Sequence, residues 1–220
     1  MNFKWIPHQL TASLRAERVQ KAKALLKFLK TASLPTLNSI YTEDETWIYY
    51  DNPRTSMWIL NGSTPPTFSR RTIAAKKSMI AVFWSRNGIA SITQLPKGQK
   101  FNRDFFLKNV FRDFEIFTSR HRKIVHFDNA KPHLIDQYLE EKKIRRLPHP
   151  AYSPDLAPSD FFLFGYLKMK LEGCVFEDED ELFAKVKEIL YSIPAQYFID
   201  AYENWIERLN EVIEREGEYI

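Results

Sequence analysis

Two stretches decide how this chain reads: Val125-His126-Phe127-Asp128-Asn129-Ala130-Lys131-Pro132-His133, and then LPHPAYSPDLAPSDFFLF from Leu147 to Phe164. The apolar run Ile124–Phe127 has the character of a buried strand, and it ends on Asp128 and Asn129. At 32 positions beyond Asp128 (160 − 128), after a proline-rich segment, Asp160 opens an aromatic helical pattern. Two acids delivered from different elements suit a divalent cation, which takes hard oxygen ligands and leaves room for substrate phosphates. The first expectation is therefore phosphoryl-transfer chemistry.

Working outward, residues 12–31 predict a helix with Leu14, Val19, Leu25, Leu26 and Leu29 on its apolar side and Thr11 or Ser13 as cap. Strand signals follow at Thr46–Tyr50, Ser56–Leu60, Met79–Trp84 and Ile89–Leu95, the last two joined through Arg86-Asn87-Gly88 as a hairpin. Residues 102–118 read as helix, Ile124–Phe127 as strand, Leu134–Lys143 as helix and Ile144–Leu147 as a short strand. Asp160–Leu171 and a stretch from about Asp178 to Glu216 complete the pattern as helices. An antiparallel meander followed by strand–helix–strand and packing helices is the order of an RNase H-like α/β fold: a mixed five-stranded sheet flanked by helices.

Composition narrows the class. The 220 residues, 44% hydrophobic, suffice for one substantial core. No apolar run approaches the length of a membrane span, so no membrane partner is expected. Cys174 is the single cysteine, which rules out an intrachain disulfide or a cysteine-built zinc site and favours a reducing, intracellular setting. The net charge of +4 is compatible with a nucleic-acid partner. Before Asp44 the only acids are Glu17 and Glu43, against Lys4, Arg15, Arg18, Lys21, Lys23, Lys27 and Lys30. That segment is either a phosphate-contacting surface or a solvated helix face. Residues 61–78 hold Pro65-Pro66 with Arg70, Arg71, Lys76 and Lys77, reading as a basic hairpin loop that reaches a partner or as a plain surface excursion.

RNase H-like nucleases carry one carboxylate on the first strand, and a search there finds Tyr41-Thr42-Glu43-Asp44-Glu45-Thr46-Trp47. TEDETWIYYDN (42–52), KSMIAVFWSRNG (77–88), HFDNAKPH and LPHPAYSPDLAPSDFFLF, in that order, resemble the catalytic domain of Tc1/mariner transposases. WIPHQLT near the start resembles that family's linker motif, and Trp205–Leu209 with Gly217-Glu218-Tyr219 resembles its ending. The resemblance implies an Asp44, Asp128, Asp160 triad that is both catalytic and metal-binding, with Mg²⁺ (Mn²⁺ substituting) as two ions. It implies cleavage at transposon ends and joining of the 3′-hydroxyl to target DNA at TA dinucleotides, by a homodimer held in part by Trp5, Pro7 and His8. It further implies a linker segment and helix over residues 1–35, a catalytic domain over 36–220, and no helix-turn-helix DNA-binding domain in this sequence. The compartment implied is the nucleus of a eukaryote, or the cytoplasm and nucleoid of a prokaryote.

Neighbouring residues have blander readings. Asp155 reads as an Asx turn or helix cap rather than a ligand. Glu45 belongs to the strand face opposite Asp44. Asn129 either orients Asp128 or does not, and His133 either meets DNA or caps a helix. His126 reads as a hydrogen-bonded core histidine, and Phe161, Phe162, Phe164 and Tyr166 as core. Lys131, Arg145 and Arg146 join the basic-loop residues as candidates for phosphate contact. The spacing Asp128–Asp160 leaves 31 residues between them, about one helical turn fewer than in mariner elements. That shortfall keeps a rival open, a catalytically impaired remnant that only binds DNA or dimerises.

Overall fold

The computed structural model of the chain describes residues 8–54, 76–118, 122–127 and 132–220, with side chains except at 132–134. Five strands form one mixed sheet in the order β3-β2-β1-β4-β5. β1 (Ile40–Tyr49) runs antiparallel to β2 (Lys77–Ser85), which runs antiparallel to β3 (Gly88–Gln94). On its other side β1 is parallel to β4 (Ile124–Phe127), and β4 is parallel to β5 (Arg145–Arg146). The β2–β3 hairpin turns at Arg86-Asn87, and Gly88 supplies the left-handed backbone (φ 119°) that closes it. The first strand is longer than its apolar signal, because Tyr41–Tyr49 ladders with β2 through polar Thr42, Glu43, Asp44 and Glu45. β2 likewise begins at Lys77, inside the stretch expected to be loop. The strand expected at Ser56–Leu60 lies outside the described residues.

Helices cover both faces of the sheet. Alternation along β2 sends Ile80, Val82 and Trp84 to one side, and Ala81 and Phe83 to the other. The Phe83 side packs against α3 (Arg103–Phe105), a π-helical stretch Phe106–Phe111 and α4 (Arg112–Phe117). There Phe83 stacks on Phe114 at 4.0 Å and meets Phe111 and Phe127 edge-on at 5.8 and 6.0 Å. Burial of each such ring contributes about 2–3 kcal/mol, and the edge-on and offset geometries fix their mutual orientation. α5 (Pro132–Glu141) closes this layer through Ile135 and Leu139.

The Trp84 side carries α1 (Ala12–Thr31), the π stretch Ser159–Leu163 running into α6 (Phe164–Leu171), α7 (Glu179–Tyr191) and α8 (Ala195–Glu214); a short α2 (Leu34–Leu37) links α1 to β1. Phe164 is buried and Phe161, Phe162 and Tyr166 pack on the same core, as their spacing indicates. The sequence reads one helix from Asp178 to Glu216, but the structure breaks it between Tyr191 and Ala195. Pro194 lacks an N–H and disfavours helical backbone at Ile193, so α8 must start afresh.

Thr11 caps α1, its hydroxyl accepting the Leu14 N–H at 3.2 Å. The buried stripe keeps Leu25 and Leu29 of the side expected but adds Arg18 and Ala22, while Leu14, Val19 and Leu26 flank it. Arg18 is 0% exposed, so its expected place on a phosphate-contacting or solvated face is corrected. Asp155, expected to cap or turn, caps nothing; it accepts Arg18 Nη1 at 3.0 Å and Nη2 at 2.7 Å in a bidentate pair. Arg18 also donates to Ser153 Oγ at 2.6 Å and to the Gly217 carbonyl at 2.8 Å.

Beside this clasp sits a second buried polar group. His126 and His149, 1% and 3% exposed, meet Nε2 to Nδ1 at 3.1 Å, and Thr42 Oγ1 lies 3.2 Å from His126 Nδ1. His126 is thus the hydrogen-bonded core histidine the sequence suggests. Burial, with Lys21, Arg18 and Arg146 nearby, lowers His149 from 6.5 to about 3, and burial also holds His126 well below 6.5.

Removing one partner from a buried ion pair leaves an uncompensated charge, so Asp155→Ala is expected to cost about 3–5 kcal/mol in denaturant unfolding. The double replacement Arg18→Met with Asp155→Leu is expected to recover much of that loss. For His149 the unfolded chain takes up a proton near pH 6.5 and the folded chain only near 3, so acid favours unfolding. Stability is full above 6.5 and falls as pH drops toward 3, and thermal melts of His149→Asn are expected to decline less steeply across that window than wild type.

Candidate catalytic site

The site is built on β1. Its ladder with β2 is regular from Tyr41 to Tyr49, so Thr42, Asp44, Thr46 and Ile48 share one face, with Glu43, Glu45 and Trp47 on the other. Ile48 belongs to the Trp84-side core and Tyr41 to the phenylalanine side, which places Asp44 on the α6–α8 face. This agrees with the separation of Glu45 from Asp44. Asp44 is partly exposed, and its Oδ1 accepts the Glu45 backbone N–H at 2.8 Å.

Asp160 reaches the same face by a different route. Trp84 pairs with Thr42 across the β1–β2 ladder, and its indole N–H donates to Ser159 Oγ at 3.0 Å. Ser159 is buried, and the next residue, Asp160, is exposed. The Asp160 and Phe161 N–H groups both donate to the Ala157 carbonyl, at 3.0 and 3.1 Å, which starts the helical stretch at this point. One buried hydroxyl thus ties the Asp160 segment to β2, the strand paired with the one that carries Asp44.

Asp128, Asn129 and Lys131 lie outside the described residues, as does the side chain of His133. The strand leading to Asp128 is described: in the parallel β1–β4 ladder Phe127 pairs with Glu43, so the residue before Asp128 stands abreast of the residue before Asp44. Among the described residues no group of three or more His, Cys, Asp or Glu side chains could hold a metal. Asp44 and Asp160 each offer hard carboxylate oxygens, the chemistry that suits Mg²⁺ or Mn²⁺.

The basic candidates are dispersed. Arg145 is exposed and stands over the Phe28 ring at 4.4 Å, whereas Arg146 is drawn into an ion pair with Asp136 at 2.9 Å. Lys77 lies over Trp47 at 4.4 Å, beside a cavity of about 610 Å³ that Lys76, Lys97 and Glu179 also line. Arg70, Arg71, Trp5 and Pro7 fall outside the described residues. His8 stacks on Tyr152 at 4.2 Å. Sequence reasoning did not identify the roles of His149, Ser153 and Arg18. Their signal is faint, a histidine between two prolines and an arginine in an otherwise basic helix, and only contacts 135 and 23 residues apart expose it.

A family model described as a transposase, partial DDE domain, matches residues 48–111; that span holds none of the three acids. The human histone-lysine N-methyltransferase SETMAR is 28% identical over 227 residues, covering 98% of this chain and 33% of that protein. The mariner Mos1 transposase of Drosophila mauritiana is 28% identical over 229 residues, covering 99% of this chain and 66% of its own length. The chain therefore spans a third of one curated relative and just under two thirds of the other. Among solved structures, the Mos1 strand transfer complex aligns with a TM-score of 0.89 at 27% identity, over 100% of this chain and 66% of that one. The Mos1 mariner paired end complex with Mn aligns equally well, at 27% identity over 100% and 67%. The Mos1 catalytic domain by itself gives 0.77 at 27% identity, over 98% and 100%. Sheet order, the two acid-bearing segments on one face and these whole-chain matches agree: the chain has an RNase H-like fold and is similar over its whole length to the catalytic domain of the mariner Mos1 transposase.

Proposed function

We propose that this chain cuts DNA at the ends of a transposable element and joins the freed 3′-hydroxyl to target DNA, with Asp44, Asp128 and Asp160 as its catalytic and metal-holding residues. The observation that supports this most directly is the β1–β4 register. Pairing of Glu43 with Phe127 brings two acid-bearing strands side by side, while the Trp84–Ser159 bond ties the third acid's helix to the same face. Bound there, two divalent ions held by these carboxylates would supply activation of the attacking oxygen and stabilisation of the leaving one. The chain's own part is to hold three carboxylates at fixed separation and to aim them at a phosphodiester. The structures of Mos1 paired end complexes with Mn and with Mg support the choice of ion.

In this reading Asn129 and His133 flank Asp128 and orient it or the phosphate. Arg70, Arg71, Lys76, Lys77, Lys131 and Arg145 contribute contacts to the DNA backbone, which position without specifying sequence. Arg146 has its Asp136 partner and is a weaker candidate. Residues 1–35 serve as linker, residues 36–220 as catalytic body, and Trp5, Pro7 and His8 help a second copy to dock on paired ends, with TA as target.

The test is a nicking assay on a short duplex under Mn²⁺, comparing wild type with Asp128→Ala and Asp160→Asn. Wild type is expected to nick, and each variant to fall by at least about a hundredfold, because the metals supply several kcal/mol of charge stabilisation. Equal cleavage by all three proteins, or none by wild type, would instead leave the chain as a remnant that binds DNA or dimerises.

A further inference from the structure

β4 poses a problem of register. All four of its residues are buried, so no alternation of apolar and polar side chains tells it which face is which. A slip of one residue would carry every side chain to the opposite face, and Asp128 with them. The apolar residues Ile124, Val125 and Phe127 would be buried either way. His126 would not fit either way, because the phenylalanine side of the sheet is a cluster of hydrophobic residues.

On the observed face His126 begins a continuous run of hydrogen bonds. Thr42, two residues before Asp44, lies 3.2 Å from His126, which is two residues before Asp128. His126 Nε2 reaches His149 Nδ1 at 3.1 Å, and the Ser153 backbone favours a proton on His149. The Ser153 hydroxyl donates to the Ala151 carbonyl at 2.8 Å and accepts from Arg18 at 2.6 Å. Arg18 grips both carboxylate oxygens of Asp155, five residues before Asp160. Lys21 secures the His149 carbonyl at 3.0 Å, and the Trp205 ring covers His126 at a centroid distance of 4.7 Å. With both imidazoles neutral, the arrangement that satisfies the run has Thr42 donating to His126, His126 donating to His149, and His149 donating toward Ser153.

We propose that Thr42, His126, His149, Ser153, Arg18 and Asp155 form one buried rail that sets the relative register of the three acid-bearing segments, with His149 as its central positioning residue. The inference rests on the three-carboxylate reading above. None of the six touches substrate; they act through the backbone stems of Asp44, Asp128 and Asp160. Apolar packing holds these stems together but leaves them free to slide, whereas hydrogen bonds between buried groups have one satisfied arrangement.

Two substitutions separate positioning from bulk stability. His149→Phe fills the space but removes the acceptor, and His149→Asn places an amide oxygen near the Nδ1 position. In single-turnover nicking under Mn²⁺, His149→Phe is expected to slow the chemical step about a hundredfold, as a displacement near 1 Å does. The concentration dependence on duplex is expected to stay within about twofold, and His149→Asn to recover most of the rate. Asp155→Asn, which keeps its shape, is expected to lose rate without losing duplex affinity. Full activity in His149→Phe, with wild type active and Asp160→Asn inactive, would overturn the rail while leaving the site intact. If wild type does not nick, amide hydrogen exchange still decides: in His149→Phe, residues 40–44, 124–127 and 153–160 are expected to lose protection together. Loss confined to the neighbours of residue 149 would overturn the proposal.

Discussion

A guanidinium with no exposed surface must be met on every side by acceptors, because a buried charge left short of partners costs several kcal/mol. Arg18 is met by Ser153, by both oxygens of Asp155 and by the Gly217 carbonyl, with the Tyr219 ring beneath it at 4.7 Å. Three remote segments therefore have a single arrangement in common: the first helix, the proline-rich run before Asp160 and the C-terminal tail. Gly217 takes part through its backbone, at φ 91°, where an added Cβ would overlap the Arg15 carbonyl. The tail is further tied by the Arg15–Glu218 ion pair and by Tyr219, whose hydroxyl donates to the Tyr152 carbonyl at 2.9 Å.

The two faces of the sheet divide the work. The phenylalanine face is packed by apolar contacts from Phe83, Phe106, Phe111, Phe114 and Phe127, and gives β2 and β4 a rigid backing. The opposite face mixes apolar packing with polar ties: Trp84 to Ser159, Tyr202 to the Ile40 carbonyl at 2.8 Å, and the two histidines to Thr42. Those ties lie next to the acids, not at random in the core. Apolar packing supplies most of the stability, and the directional bonds place the carboxylates.

Much of the architecture is legible because it rests on local signals. The helix over 12–31, the strand Ile124–Phe127 and the hairpin of Met79–Trp84 with Ile89–Leu95 all follow from caps, turns and apolar runs of a few residues, and the structure reproduces them to within two residues at each end. The failures share a cause as well. Arg18 reads as solvent-facing and Asp155 as a turn residue, because their partners are 137 residues apart in the chain. The first strand reads short because Glu43, Asp44 and Glu45 mask it, and polar residues enter a central strand only when function or pairing holds them there.

The amino-acid sequence by itself determines the order of elements, the acids those elements carry and the motif blocks that resemble Tc1/mariner catalytic domains. Those are properties of neighbours along the chain: periodicity, capping, turn chemistry and composition. Only the tertiary structure decides which acids share a face, which basic side chains are already paired and how three distant stems are held in register. Such properties depend on burial and on hydrogen bonds between segments far apart in sequence, and a buried arginine or histidine looks the same in the chain as an exposed one.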